Sequence, residues 1–179
     1  ALNVVEAAEE LQEKSLAFSE SAQHELQVLM NAVEEIVELS FQAFLENDLE
    51  GAKNLCDYRV RSLPAAKKHS REMNTAGARY PWMAALDGSE QCETWDIGCS
   101  ELHITADIAY ALDAYCKKSG DEAFYLDKAA EVYVETARFW VSRYTFRPET
   151  GEADLLFCKG PDEYCGITNN NLFTNVMVQ

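Results

Sequence analysis

Apolar residues recur at steps of four, three, four and four along Leu26, Met30, Val33, Val37 and Phe41. Leu29, Ile36, Ala43 and Phe44 thicken the same stripe, which is the spacing of one face of an α-helix. Residues 1–50 contain no Gly and no Pro and are rich in Ala, Leu, Glu and Gln, so helix is expected throughout. Ser19 and Ser21 offer capping oxygens and predict a break near Phe18–Ser21. Asn47-Asp48 predicts a stop, with a new helix running from Leu49 towards Asn54.

Downstream the pattern changes. Pro64 suits the first turn of a helix over about 64–73, and Ala76–Pro81 reads as a tight loop. Residues 83–99 show no clean period and read mostly as loop. A strong helix is expected over Ser100–Ser119, with Ser100 as cap and Glu101 and His103 in the first turn. Ile104, Ile108, Leu112 and Tyr115 share one face, and Gly120 ends it. Asp121 caps a further helix over Glu122–Tyr144 that turns Phe124, Ala129, Val132, Thr136, Phe139 and Trp140 inward. Pro148 and Gly151 then predict a loop or short hairpin over 145–159. The fold class is all-α: a long helical hairpin, followed by further helices.

Composition narrows the function. A hydrophobic content of 47% supports a packed core, while a net charge of -16 argues against nucleic acid and anionic membrane surfaces as partners. Residues 1–50 carry twelve acids against the single basic Lys14, leaving nineteen acids and fourteen Lys and Arg downstream. Such a step marks a boundary near 50–56. No apolar run reaches the ~20 residues of a membrane helix. The six cysteines form no C-x-x-C pair and only three histidines could help them, which argues against a zinc site. Without a leader in front of them, reduced thiols and a cytoplasmic location are expected. Glu6, Glu9, Glu10 and Glu13 lie at helical spacing, either as a metal-binding cluster or, more simply, as a solvated face.

The candidate chemistry gathers at Gly160-Pro161-Asp162-Glu163-Tyr164 and the following Asn169-Asn170-Asn171. Pro161 fixes one dihedral, Gly160 is expected to free the one before it, and Asp162 can close a turn through its side chain. A Glu163 carboxyl on such a turn, walled by aromatic segments, has the raised pKa that a general acid needs. The plain alternative is a surface turn with two solvated acids. His103 and Asp107, four apart, could hold a metal or form a hydrogen-bonded pair. Glu135 and Arg138 suit an ion pair, and Trp140 suits the core.

Two resemblances go further. Leu11-Gln12-Glu13-Lys14-Ser15-Leu16, Glu25-Leu26 and Ala43-Phe44-x-x-x-Asp48 resemble the PhoU-like helical domain, also found as the tail of sodium/phosphate cotransporters. That similarity covers residues 1–54 and implies a regulatory or interaction segment, with no metal ligand carried over. Residues 55–179 closely resemble glycoside hydrolase family 65, the maltose, kojibiose, nigerose and trehalose phosphorylases and related hydrolases. The shared residues include Gly77-Ala78-Arg79-Tyr80-Pro81-Trp82, Asp87-Gly88-x-Glu90, and Glu101-x-His103-Ile104-x-x-Asp107. Glu135-Thr136-Ala137-Arg138-Phe139-Trp140, Gly160-Pro161-Asp162-Glu163-Tyr164 and Asn170-Asn171-x-Phe173 complete the series.

The second resemblance implies part of an (α/α)6 barrel that cleaves an α-linked glucosyl disaccharide with inversion. Glu163 would be the general acid and inorganic phosphate the co-substrate, with no cofactor and no metal. Tyr80 and Trp82 would stack on sugar and Glu101 would touch it, unless Glu101 is only a helix-start charge. Cys165 stands where the family often has His. Disaccharide and phosphate are the expected partners, and self-association stays open. A chimera of the two pieces, inactive as a 179-residue chain, is expected. A phosphate-transport module and a purely structural helical chain are the competing readings.

Overall fold

The computed structural model describes residues 10, 12–14, 17–45, 48–92, 94–162 and 164–179. Two compact units part between Gly51 and Ala52. In the first, helix α1 spans Glu20–Leu45. Ser19 caps it as expected, its Oγ accepting from the Ala22 N–H at 3.2 Å. The stripe of Leu26, Met30, Val33, Val37 and Phe41 is exposed. Glu6 and Glu9 lie outside the described residues. Among the described residues no cluster of His, Cys, Asp and Glu is arranged to hold a metal, and no helix is long and apolar enough to cross a membrane.

Helix α2 spans Leu49–Arg61, seven residues beyond the end expected at Asn54. Asp48 starts it by accepting from the Glu50 and Gly51 N–H groups at 3.0 and 3.1 Å. Helix α3 (Leu63–Glu72) follows with Pro64 in its first turn. The stretch read as loop contains a short helix, α4 (Trp95–Ser100). Helix α5 is Ile104–Ser119, four residues shorter at its start than expected, and Gly120 ends it in the left-handed conformation at φ 67°. Asp121 caps α6 (Glu122–Phe124) by accepting from the Phe124 N–H. A π turn over Tyr125–Ala129 then leads into α7 (Ala130–Arg143). The hairpin is real but minimal: β1 (Thr145–Phe146) pairs antiparallel with β2 (Ala153–Asp154). Helix α8 (Leu172–Val178) closes the chain. The all-α reading holds, and the expected core faces of α5, α6 and α7 are buried except for the half-buried Ile104.

The segment 78–80 threads the second unit. The Ala78 N–H donates to Glu135 O on α7 at 2.9 Å, and the Arg79 N–H to Ala66 O on α3 at 3.0 Å. The Tyr80 N–H donates to Thr105 Oγ1 on α5 at 3.1 Å. Three consecutive residues thus tie three helices together, leaving none of these buried N–H groups without an acceptor. Gly77 makes the entry possible. Its φ is 72°, and a Cβ there would lie 2.1 Å from Glu135 O.

Candidate active site

The loop that carries the candidate acid is anchored at its base before it reaches its tip. Cys158 and Thr168 exchange main-chain hydrogen bonds of 2.9 and 2.8 Å, closing the segment between them. The three asparagines do the rest. Asn169 Oδ1 accepts from the Phe157 N–H at 3.0 Å, and Asn170 Oδ1 accepts from the Leu155 N–H at 2.8 Å. Asn171 caps α8 by accepting from the Thr174 N–H at 3.1 Å. Gly160 sits against that same Asn171, where a Cβ would come within 2.5 Å of Nδ2. Its φ is not in the left-handed region, so the glycine answers a close approach rather than freeing a dihedral.

At the tip, Asp162 closes the turn as expected. Its Oδ1 accepts from the Tyr164 N–H at 3.1 Å, and its main-chain oxygen accepts from the Cys165 N–H at 3.1 Å. These bonds bracket Glu163, which itself lies outside the described residues. Cys165 donates its thiol to Asp162 Oδ2 at 3.3 Å, and the same carboxylate pushes the thiol pKa up.

Below the loop lies a buried cluster. The Lys159 N–H donates to Ser100 O at 2.9 Å, and Glu101 pairs with Lys159 in a parallel bridge. This pairing is why residues 101–103 are not helical: Glu101 is not a helix-start charge, and His103 takes the N-cap position. Glu101 is fully buried, with its Oε2 3.5 Å from His103 Nδ1. The His103 ring has Trp82 and Phe173 as neighbours, each with its centroid 5.6 Å away. Burial pushes the His103 pKa down, opposed by a hydrogen bond to the Lys159 main chain.

Among the described residues, His103 Nδ1 and Asp107 Oδ1 are both buried without a hydrogen-bond partner, so the hydrogen-bonded pair expected of these two residues does not form. Burial raises the Asp107 pKa.

Of the expected sugar-binding residues, Trp82 is partly exposed beside this cluster, and the main-chain N–H groups of Trp82 and Met83 donate to Glu90 at 2.8 and 2.9 Å. Tyr80 is different. It is fully buried, and its hydroxyl donates to Arg59 O at 2.9 Å, so it belongs to the core and has no face for a sugar. Glu101 likewise presents no surface. The roles of Glu90 and Lys159 went unread. Glu90 had a signal in the Asp87-Gly88 turn before it, whereas Lys159 meets residue 101 only through tertiary pairing.

Helices threaded by an internal segment, with a loop anchored on them, are the architecture of a fragment of an all-α barrel. The chain belongs to glycosyl hydrolase family 65: the model of that family's central catalytic domain matches residues 39–179. The match begins at residue 39, within the 1–54 stretch expected to be PhoU-like. A kojibiose phosphorylase of Halothermothrix orenii is 38% identical over 141 residues, covering 72% of this chain and 18% of the relative. An α,α-trehalose phosphorylase of Thermoanaerobacter brockii is 39% identical over 137 residues, covering 76% and 18%. A solved structure described as a kojibiose phosphorylase from the human microbiome superposes with a TM-score of 0.69 at 29% identity, covering 73% of this chain and 19% of that one. The chain thus spans about a fifth of the length of these relatives.

Proposed function

We propose that this chain supplies the acid-bearing segment of an inverting glycoside phosphorylase acting on α-linked glucosyl disaccharides. The family match carries the reading, because it runs through the 160–164 turn. In this reading Glu163 gives its proton to the glycosidic oxygen as the C1–O bond breaks. A phosphate oxygen attacks C1 from the opposite face, so the products are the inverted sugar 1-phosphate and the released sugar. No protein base and no further cofactor are needed. The anchored loop supports this role, since an acid must sit within hydrogen-bond reach of the leaving oxygen. Trp82 remains the sugar platform of this reading. For residues 1–54 the PhoU-like reading rests on the acid-rich, apolar-striped helix.

The test is Glu163→Gln in a protein carrying this segment within a complete barrel. Phosphorolysis of the disaccharide should fall by about 10²-fold or more, the contribution of a positioned acid. Turnover of α-glucosyl fluoride, whose leaving group needs no proton, should fall far less. Undiminished disaccharide phosphorolysis would overturn the assignment.

A further inference from the structure

Among the described residues, the left-handed backbone conformation is taken by Gly77, Gly88, Gly120 and Gly151, by Asn74 and Asn170, and by Phe157. Glycine meets no Cβ penalty there, and the short polar side chain of Asn tolerates it. Phe157, at φ 52°, has neither excuse: a bulky residue in this region is an outlier held against its own preference. Main-chain bonds hold it. The Phe157 N–H donates to Asn169 Oδ1 at 3.0 Å, and its carbonyl accepts from Arg143 Nη2 at 3.2 Å. On one side Leu155 exchanges hydrogen bonds with Asn170, and on the other Cys158 does so with Thr168. This backbone decides where the ring goes. In an extended chain, residue 157 would share the face of Leu155, which is fully buried. The left-handed residue breaks that alternation: Cys158 takes the buried side and the Phe157 ring is 69% exposed. Asn or Gly at 157 would relieve the strain and give up little packing, so stability does not account for a phenylalanine here.

We propose that Phe157 is a sugar-binding residue: its exposed ring stacks on the apolar face of a sugar of the substrate, at the base of the loop that carries the 160–164 turn. The left-handed backbone is what projects the ring out of that loop. The inference rests on the reading of the chain as part of a disaccharide phosphorylase. The surroundings suit a carbohydrate. Asn169, whose Oδ1 holds the Phe157 N–H, is itself exposed, and a side-chain amide beside an aromatic face is the pairing that meets a sugar's hydroxyls and its C–H face together.

The experiment substitutes Phe157 by Asn and by Tyr, and reads stability and sugar binding separately. In this chain Phe157→Asn should raise the midpoint of thermal unfolding by about 2–4 °C, because Asn tolerates the left-handed backbone. In a protein carrying this segment within a complete barrel, the same substitution should raise KM for an α-linked glucosyl disaccharide by about tenfold, with kcat within about threefold of the parent. Phe157→Tyr keeps the ring face and should leave KM within about threefold of the parent. A residue that serves only the fold does not give this pattern, in which stability rises while sugar affinity falls. An unmoved KM in Phe157→Asn overturns the proposal. So does a lower unfolding midpoint of Phe157→Asn in the complete barrel, which would mark the ring as packed against neighbouring helices. A parent that does not phosphorolyse the disaccharide overturns the reading of function and this proposal with it, whereas an active parent whose KM Phe157→Asn leaves unmoved overturns this proposal alone.

Discussion

At the scale of single residues, Tyr80 shows how an aromatic motif can be chemically suggestive and structurally committed elsewhere. Within Arg79-Tyr80-Pro81-Trp82, two rings two residues apart invite a sugar-stacking role for both. The two rings nonetheless end in different surroundings, and only Trp82 keeps any exposure. Burial drives the Tyr80 phenol pKa far up, so the hydroxyl serves solely as a donor to the Arg59 carbonyl. Tyr80→Phe should therefore cost about 1 kcal/mol of stability, the usual net value of one hydrogen bond, without changing sugar affinity. Denaturant titration reads the first and ligand titration the second. A loss of sugar binding at unchanged stability would return Tyr80 to the site. The neighbouring Arg79 is also committed to the structure, donating to the Gly98 carbonyl.

At the scale of elements, the helices whose apolar positions follow a single face were legible. Ile108, Leu112 and Tyr115 face inward on α5, and Val132, Thr136, Phe139 and Trp140 on α7. Their ends were legible where a local side chain does the capping, as with Ser19, Asp48 and Asp121. What escaped was set from afar. The start of α5 moves to Ile104 because residue 101 pairs with residue 159, and no local pattern encodes that contact. The same holds for the site: Asp162 and the asparagines carry their turn chemistry in their identity, whereas the approach of His103 to Glu101 depends on the fold. Gly77 joins the two kinds of information, being a loop signal whose necessity comes from α7. Gly77→Ala would place a methyl group 2.1 Å from Glu135 O and 2.5 Å from Phe139 N at a φ that disfavours any side chain. Clash and backbone strain together predict a loss on the order of 3 kcal/mol or more. Thermal unfolding of Gly77→Ala against Gly120→Ala separates the two terms, because Gly120 shares the backbone sign but has open space around it.

At the scale of the whole molecule, the buried titratable groups give stability a definite slope with pH. His69 and His103 both have pKa values held below 6.5, chiefly by burial, with Arg79 adding to the effect at His69. A depressed folded pKa means the unfolded chain takes up protons first. Their contribution is complete above about 6.5 and is lost as pH falls towards the folded values. Asp107 has the opposite sign. Its pKa is raised above 3.8, so its favourable contribution is present below 3.8 and lost as pH rises through the folded value. Between these limits two groups favour higher pH and one favours lower. Stability of the chain should accordingly increase from about pH 5 to pH 7, against the intuition that an acidic chain of net charge -16 gains from partial neutralisation. Unfolding by urea across that range measures the slope. His69→Gln with His103→Gln should flatten it, and Asp107→Asn should steepen it while stabilising the chain at pH 7. A parent slope of the reverse sign would mean that general charge repulsion outweighs the buried groups, and the double glutamine variant would then make that reverse slope steeper.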